Sequence, residues 1–113
     1  MNKKDVTTKI DDRLINEIIN QIRSIVRPKK IVLFGSAANE SMTADSDLDL
    51  LVIEDDFINT REENMRLRKA LSGIGLPVDI FTMTSERFDE TKDIIGGLAY
   101  PANKYGKVIY EEA

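Results

Sequence analysis

Residues 31–53 read IVLFGSAANESMTADSDLDLLVI. Four consecutive apolar residues, 31–34, end at the pair Gly35-Ser36, and a second apolar segment begins with Asp47-Leu48-Asp49. Short continuous apolar segments bounded by small and polar residues are typical of buried strands. A carboxylate at the edge of such a strand is costly to bury unless a cation or hydrogen-bond donors compensate its charge. This stretch therefore predicts two strands of a covered sheet, with an acidic site at one end.

A helix is predicted on either side of this stretch. Apolar residues recur at helical spacing over 10–26, and Pro28 ends that pattern because the residue before a proline is driven out of the helical region. Residues 60–74 predict a second helix, in which Thr60 and Glu63 fit a capping box at the first turn. Each helix carries an apolar stripe that must be buried, and we expect the strands to provide the surface that buries it.

The remaining segments complete the expected fold. They predict a strand at 78–83, a helix at 85–95 that offers Phe88, Thr91, Ile94 and Ile95 to the core, and a short strand at 108–110. This order predicts an α/β (α+β) fold, a small mixed β-sheet of about four strands flanked by helices. At 113 residues the chain is expected to form a single domain, 1–113.

The composition limits the chemistry that this chain can perform. It contains no cysteine and no histidine, which excludes thiolate sites, cysteine nucleophiles and the usual zinc ligands. Any bound metal must take oxygen ligands, which favours magnesium, manganese or calcium. The formal net charge of −4 disfavours a broad basic surface for duplex nucleic acid. The sequence shows neither a signal-peptide pattern nor a membrane-spanning apolar segment, so we expect a cytoplasmic protein without membrane contact.

Three aspartates and a Gly-Ser pair form the candidate site. Side chains alternate along a strand, so Asp47 and Asp49 project to the same side and can share one or two hard cations. Asp79, in the next predicted strand, completes the cluster if the two strands are neighbours, and it can also accept the proton of an incoming hydroxyl. Gly35 permits close approach of a ligand to the backbone, and Ser36 adds a hydroxyl and an amide hydrogen for a phosphate oxygen. The arrangement predicts two divalent metal ions beside a nucleoside triphosphate.

Other interpretations of these residues are weaker. A single aspartate at the edge of a strand is more often a cap or turn residue than a ligand, and the site is favoured only by the conjunction on successive strands. Asp45, Asp47, Asp49 and Asp56 also fall in the register of an EF-hand loop, but Leu50 stands where that loop needs glycine. A P-loop is excluded because the sequence contains no Gly-Lys-Ser or Gly-Lys-Thr.

The combined pattern resembles a known superfamily. Gly35-Ser36, then Asp47-x-Asp49, then Asp79 in a later strand is similar to the motif of the DNA polymerase beta nucleotidyltransferases. The short length resembles their minimal branch, whose members often act as antitoxins beside a HEPN-domain toxin. The resemblance covers nearly the whole chain and implies the nucleotidyltransferase fold. It implies that the three aspartates are catalytic and bind two Mg²⁺ ions, and that the Gly-Ser pair binds the phosphates of ATP.

The resemblance also implies a reaction and a partner. The expected reaction is magnesium-dependent transfer of AMP from ATP to a tyrosine hydroxyl of a HEPN-domain toxin, for which the chain would be the antitoxin. So short a chain leaves little to enclose a base, so a HEPN-domain partner, a second copy of the chain, or both are expected to supply the missing wall. Residues 37–40, Ala-Ala-Asn-Glu, depart from the arginine and glycine that are common in the family. They leave open an alternative: a catalytically weak or inactive binding module that neutralises or regulates a partner by contact. Transfer to a small molecule such as an antibiotic is disfavoured, because relatives with such substrates are longer.

Overall fold

A four-stranded sheet organises the computed structural model, which describes residues 12–35, 48–56, 60–75 and 77–112. In chain order its elements are α1 (Asp12–Arg23), β1 (Lys30–Phe34), β2 (Leu48–Glu54), α2 (Thr60–Leu71), β3 (Val78–Thr84), α3 (Ser85–Thr91), α4 (Ala99–Tyr105) and β4 (Lys107–Glu111). None of the helices in these ranges is long and apolar enough to cross a membrane.

The sheet is mixed, with the strand order β3-β2-β1-β4. β1 pairs antiparallel with both β2 and β4, whereas β2 and β3 run parallel. Parallel neighbours need a crossover connection, and α2 provides it between β2 and β3. The predicted fold class, a small mixed sheet of about four strands flanked by helices, is therefore confirmed.

Alternation of the side chains divides the core between the two faces of the sheet. The first, which we call the α1/α2 face, is covered by α1 and α2; its buried residues are Ile18, Ile22, Val26, Ile31, Leu33, Leu48, Leu50, Val52, Leu67, Leu71 and Ile80. The second, the α3/α4 face, is covered by α3 and α4; its buried residues are Val32, Phe34, Leu51, Ile53, Phe88, Ala99 and Ala102. β2 contributes to both sets, which is why its sequence reads as continuously apolar.

The end of the predicted 85–95 helix is wrong. α3 ends at Thr91, and Ile94 and Ile95 are exposed instead of lying in the core. Phe88 does reach the α3/α4 face, so the helical spacing identified one of the four expected core residues, and Thr91 is only half-buried. The rest of the α3/α4 face is covered by α4, which the helical spacing of residues 85–95 cannot reveal.

The sequence did not predict α4. Its buried residues are the small side chains Ala99 and Ala102, which give little hydropathy pattern, and Pro101 falls within its first turn, where a missing amide hydrogen costs least. Small residues let this helix approach β1 closely. Gly106, the residue after α4, also has to lack a side chain, because a Cβ there would collide with the carbonyl oxygen of Ala102 and the side chain of Val32.

Two carboxyl groups meet where β2 ends beside α2. Glu54, the last residue of β2, is only 4% exposed, and its carboxyl group lies within hydrogen-bonding reach of that of Glu63. Burial, followed by the hydrogen bond and the charge of Glu63, raises the pKa of Glu54 from 4.5 to about 8. The capping box predicted for Thr60 and Glu63 does not anticipate this contact, although α2 does begin at Thr60.

We expect this pair to make the free energy of unfolding depend on pH in metal-free buffer. Because the pKa of Glu54 is higher in the folded state, the folded state binds the proton more tightly, so stability falls as pH rises from about 5 to about 8. The limiting slope for one proton is about 1.4 kcal/mol per pH unit. The chain has no histidine to titrate in this window.

Denaturant unfolding at several pH values measures this slope. Glu54→Gln should flatten the slope, because the amide cannot ionise. Glu62→Gln, at an exposed position of α2, should leave the slope unchanged. Equal slopes for the wild-type chain and Glu54→Gln would contradict the expectation.

Candidate active site

The pairing of three strands places two of the three predicted acids, Asp49 and Asp79, in one row with the end of β1. Phe34, the last residue of β1, is the partner of Asp49 in β2, and Asp49 is the partner of Asp79 in β3. Neighbouring strands lie about 4.8 Å apart, and paired residues project to the same face. Asp49 and Asp79 are therefore side by side and partly exposed, on the same face as Leu51, the α3/α4 face.

Gly35 brings the backbone against this row. It follows Phe34 directly and adopts a φ of +74°, a left-handed conformation that side chains with a Cβ rarely take. A Cβ at this position would collide with the Oδ2 atom of Asp49. The absence of a side chain is thus what allows the Asp49 carboxylate to approach the end of β1.

The structure brings together three of the five predicted site residues: Gly35, Asp49 and Asp79. Ser36 and Asp47 lie outside the described residues, so their predicted roles remain predictions, as does the consequence of the departure at 37–40. Among the described residues, no group of three or more potential ligands gathers as a metal site. The third carboxylate of the predicted set is Asp47, which precedes β2 directly.

The side chains in the row fit a hard divalent cation. Two carboxylates on neighbouring strands repel each other, and a shared cation turns that repulsion into attraction. Both offer oxygen ligands only, which magnesium prefers over softer metals. Asp49 also takes part in a further interaction within the chain.

An aromatic pair borders the acids. Phe34 and Phe81 have ring centroids 5.9 Å apart, and Phe81 follows Asp79 by two residues, so both project to the same face. Phe81 is 36% exposed, an unusual state for a large apolar side chain on a covered face. The sequence analysis missed Phe81 as a site residue, although the two-residue strand period places it beside Asp79.

Comparison with known proteins assigns the chain to a family. Residues 15–97, well over half of the chain, match the family model described as the nucleotidyltransferase domain. The chain belongs to the nucleotidyltransferase domain family. The matched range includes the whole Gly35, Asp49 and Asp79 row and ends before α4.

A curated relative and two solved structures are similar to this nucleotidyltransferase domain. A Methanocaldococcus jannaschii protein, provisionally named a protein adenylyltransferase, is 40% identical over 47 residues, which is 40% of this chain and 47% of that protein. The match thus spans less than half the length of that relative.

The solved structures are similar over most of the chain. One is a toxin–antitoxin complex with AMP-PNP, with a TM-score of 0.68, 22% identity and coverage of 87% of this chain and 73% of the other. Another is a tri-AMPylated Shewanella oneidensis HEPN toxin in complex with an MNT antitoxin, with a TM-score of 0.61, 20% identity and coverage of 91% and 74%. At such identities the two likenesses show a shared fold.

Gly35→Ala is expected to destabilise the domain by two separable effects. A left-handed conformation costs a residue with a Cβ about 1–2 kcal/mol, and the collision with Asp49 adds to that cost. Gly73→Ala is the matched control, because Gly73 has an ordinary φ and no atom within 4 Å of its added Cβ.

A double-mutant cycle with Asp49→Ala separates the two effects by equilibrium unfolding. Removing the carboxylate should relieve the collision, leaving only the backbone cost of Gly35→Ala and giving a coupling energy of about 0.5–3 kcal/mol. Full additivity of the two substitutions would show that Gly35 and Asp49 do not constrain each other.

Proposed function

We propose that this chain is a magnesium-dependent nucleotidyltransferase that transfers AMP from ATP to a tyrosine hydroxyl of a HEPN-domain toxin and thereby acts as its antitoxin. The observation that carries the proposal is the row of Gly35, Asp49 and Asp79 in a member of the nucleotidyltransferase domain family. The choice of partner is supported by similarity in fold to chains from complexes of a toxin with its antitoxin.

The proposed roles follow the chemistry of each side chain. Asp47, Asp49 and Asp79 would hold two Mg²⁺ ions, which when bound would neutralise the triphosphate and stabilise the attacking and leaving oxygens at phosphorus. Gly35 lets a phosphate oxygen approach the backbone at the end of β1, and Ser36 donates hydrogen bonds from its hydroxyl and amide groups. Asp49, at the centre of the row, contributes to both the metal ligands and the position of the Gly35 turn.

The reaction is a displacement at the α-phosphorus of ATP. The acceptor oxygen forms a bond to this phosphorus while the bond to the oxygen that bridges the α- and β-phosphates breaks, and pyrophosphate leaves. The carboxylate of Asp79 accepts the proton of the acceptor hydroxyl, a role that suits an acid at the partly exposed edge of the row. The half-exposed ring of Phe81 offers an apolar surface beside this point for a planar group of the bound ligands.

The alternative is a binding module that neutralises a partner by contact. The sequence Ala-Ala-Asn-Glu at 37–40 favours it, because a cation commonly present near the triphosphate in the family is missing and an acid is added. The two functions differ in whether neutralisation needs the carboxylates of the row.

Substitution of the paired acids tests the proposal. Asp49→Asn and Asp79→Asn should each abolish labelling of a co-expressed HEPN-domain partner by α-³²P-labelled ATP. The loss of labelling should exceed the 10–100-fold that is typical when a residue hydrogen-bonded to a metal ligand is replaced. Asp93→Asn, at an exposed position after α3, is the matched control and should retain full labelling.

Two measurements separate the functions. Chelation of divalent cations should stop labelling, and added Mg²⁺ should restore it. A toxicity assay with the same variants reports neutralisation directly. If the Asp49→Asn variant still neutralises the toxin and the wild-type chain produces no labelling, neutralisation occurs by contact and not by AMP transfer. Labelling that persists in both variants would show that the reaction centre does not include Asp49 and Asp79.

A further inference from the structure

A second set of carboxylates lies at the other end of β2 and on the other face of the sheet. Glu54 is five residues beyond Asp49, about 16 Å along the strand, and the alternation of side chains directs it to the α1/α2 face. Glu63 reaches it from the first turns of α2, in the same stripe as the buried Leu67 and Leu71, four and eight residues later. An acid in a core-facing stripe is unusual, since an unpaired buried charge is costly.

One oxygen atom of each carboxyl group in this pair has no hydrogen-bond partner in the described part of the chain. Among the described residues, neither the Oε2 atom of Glu54 nor that of Glu63 has a hydrogen-bond partner, although both atoms are inaccessible to solvent. Ion pairs within the same ranges involve other acids, such as Asp55 with Lys29. When both carboxyl groups are ionised, this pair therefore lacks, in these ranges, the opposite charge that normally accompanies a buried carboxylate.

A pocket of about 420 Å³ adjoins the pair. Its charged lining consists of Glu54, Asp56, Glu62 and Glu63 together with Arg27 and Arg66. When all of these groups are ionised, the acids exceed the arginines by two charges. The two guanidinium groups already line the pocket, yet neither forms an ion pair with Glu54 or Glu63. A divalent cation between Glu54 and Glu63 would supply the positive charge that neither arginine supplies to this pair.

We propose that Glu54 and Glu63 bind one divalent cation at the junction of β2 and α2, in a site separate from the row of Asp49 and Asp79. Carboxylate oxygens are the ligands that Mg²⁺, Ca²⁺ and Mn²⁺ prefer, and a pocket of this size has room for the water ligands that such ions retain. The cation would join the end of β2 to the helix that leads to β3. This proposal does not depend on the transferase activity, because it concerns different residues and a different face.

Metal titration of a chain that lacks the first site tests the proposal. In the Asp47→Asn plus Asp49→Asn background, calorimetry with MnCl₂ should still show one bound ion, and Mn²⁺ should raise the unfolding temperature by mass action. Adding Glu54→Gln and Glu63→Gln should weaken this binding at least about tenfold and remove the rise in unfolding temperature. Glu90→Gln, at an exposed position of α3 outside this pocket, is the control and should retain the binding.

Glu54→Asp provides a second variant that keeps the charge and withdraws the carboxylate by one methylene. Its Mn²⁺ affinity should fall while the metal-free chain remains folded by circular dichroism. The proposal is overturned if the Asp47→Asn plus Asp49→Asn chain binds no Mn²⁺ at millimolar concentration. It is equally overturned if the glutamine substitutions at 54 and 63 leave the affinity unchanged.

Discussion

The parallel pairing of β2 with β3 is the constraint on which the rest of the structure depends. It sets Asp49 beside Asp79, two like charges that would separate if the strands were free to do so. The opposing free energy comes from the other side of the same strands, where Leu48, Leu50 and Ile80 are almost completely buried. Each such side chain contributes about 1.5–3 kcal/mol on burial, so a few of them outweigh the repulsion between two partly exposed carboxylates. The α1/α2 face therefore provides hydrophobic free energy that keeps β2 and β3, and with them Asp49 and Asp79, side by side.

Much of this arrangement could be predicted because it is encoded locally. Continuous apolar segments identified β1, β2 and β3, and the two-residue period of a strand placed Asp49 on the face opposite Leu48 and Leu50. The adjacency of β2 and β3 was an assumption that the structure confirms. The roles of Ser36 and Asp47, which lie outside the described residues, remain predictions. What the sequence could not supply are features that depend on long-range packing, such as the small-residue contact of α4 with β1 and the exposure of Ile94 and Ile95.

The two ends of the α3/α4 face differ in how they are covered. α3 begins where β3 ends, and Phe88 packs beside Ile53 and near Lys30, whose ammonium lies 5.7 Å from the Phe88 ring centroid. The row of acids is at the opposite end of β3, where Phe81 keeps about a third of its surface exposed. Among the described residues, α3 packs over one end of this face, and Asp49, Asp79 and Phe81 at the other end keep part of their surface exposed. This geometry agrees with the proposal that a partner completes the site, because an exposed aromatic ring gains most when another surface covers it.

β2 carries carboxylates at both ends, in contrasting environments. At its beginning, Asp49 is partly exposed and constrained by Gly35; at its end, Glu54 is buried against Glu63, and burial raises its pKa. Both depend on α2, which delivers β3 to the side of β2 and also presents Glu63 to Glu54. The contact of Glu54 with Glu63 therefore joins the end of β2 to α2, the helix that precedes β3. Because β2 is buried on both faces, a change in protonation or cation binding at this junction should alter the stability of the whole sheet rather than the position of β2 alone.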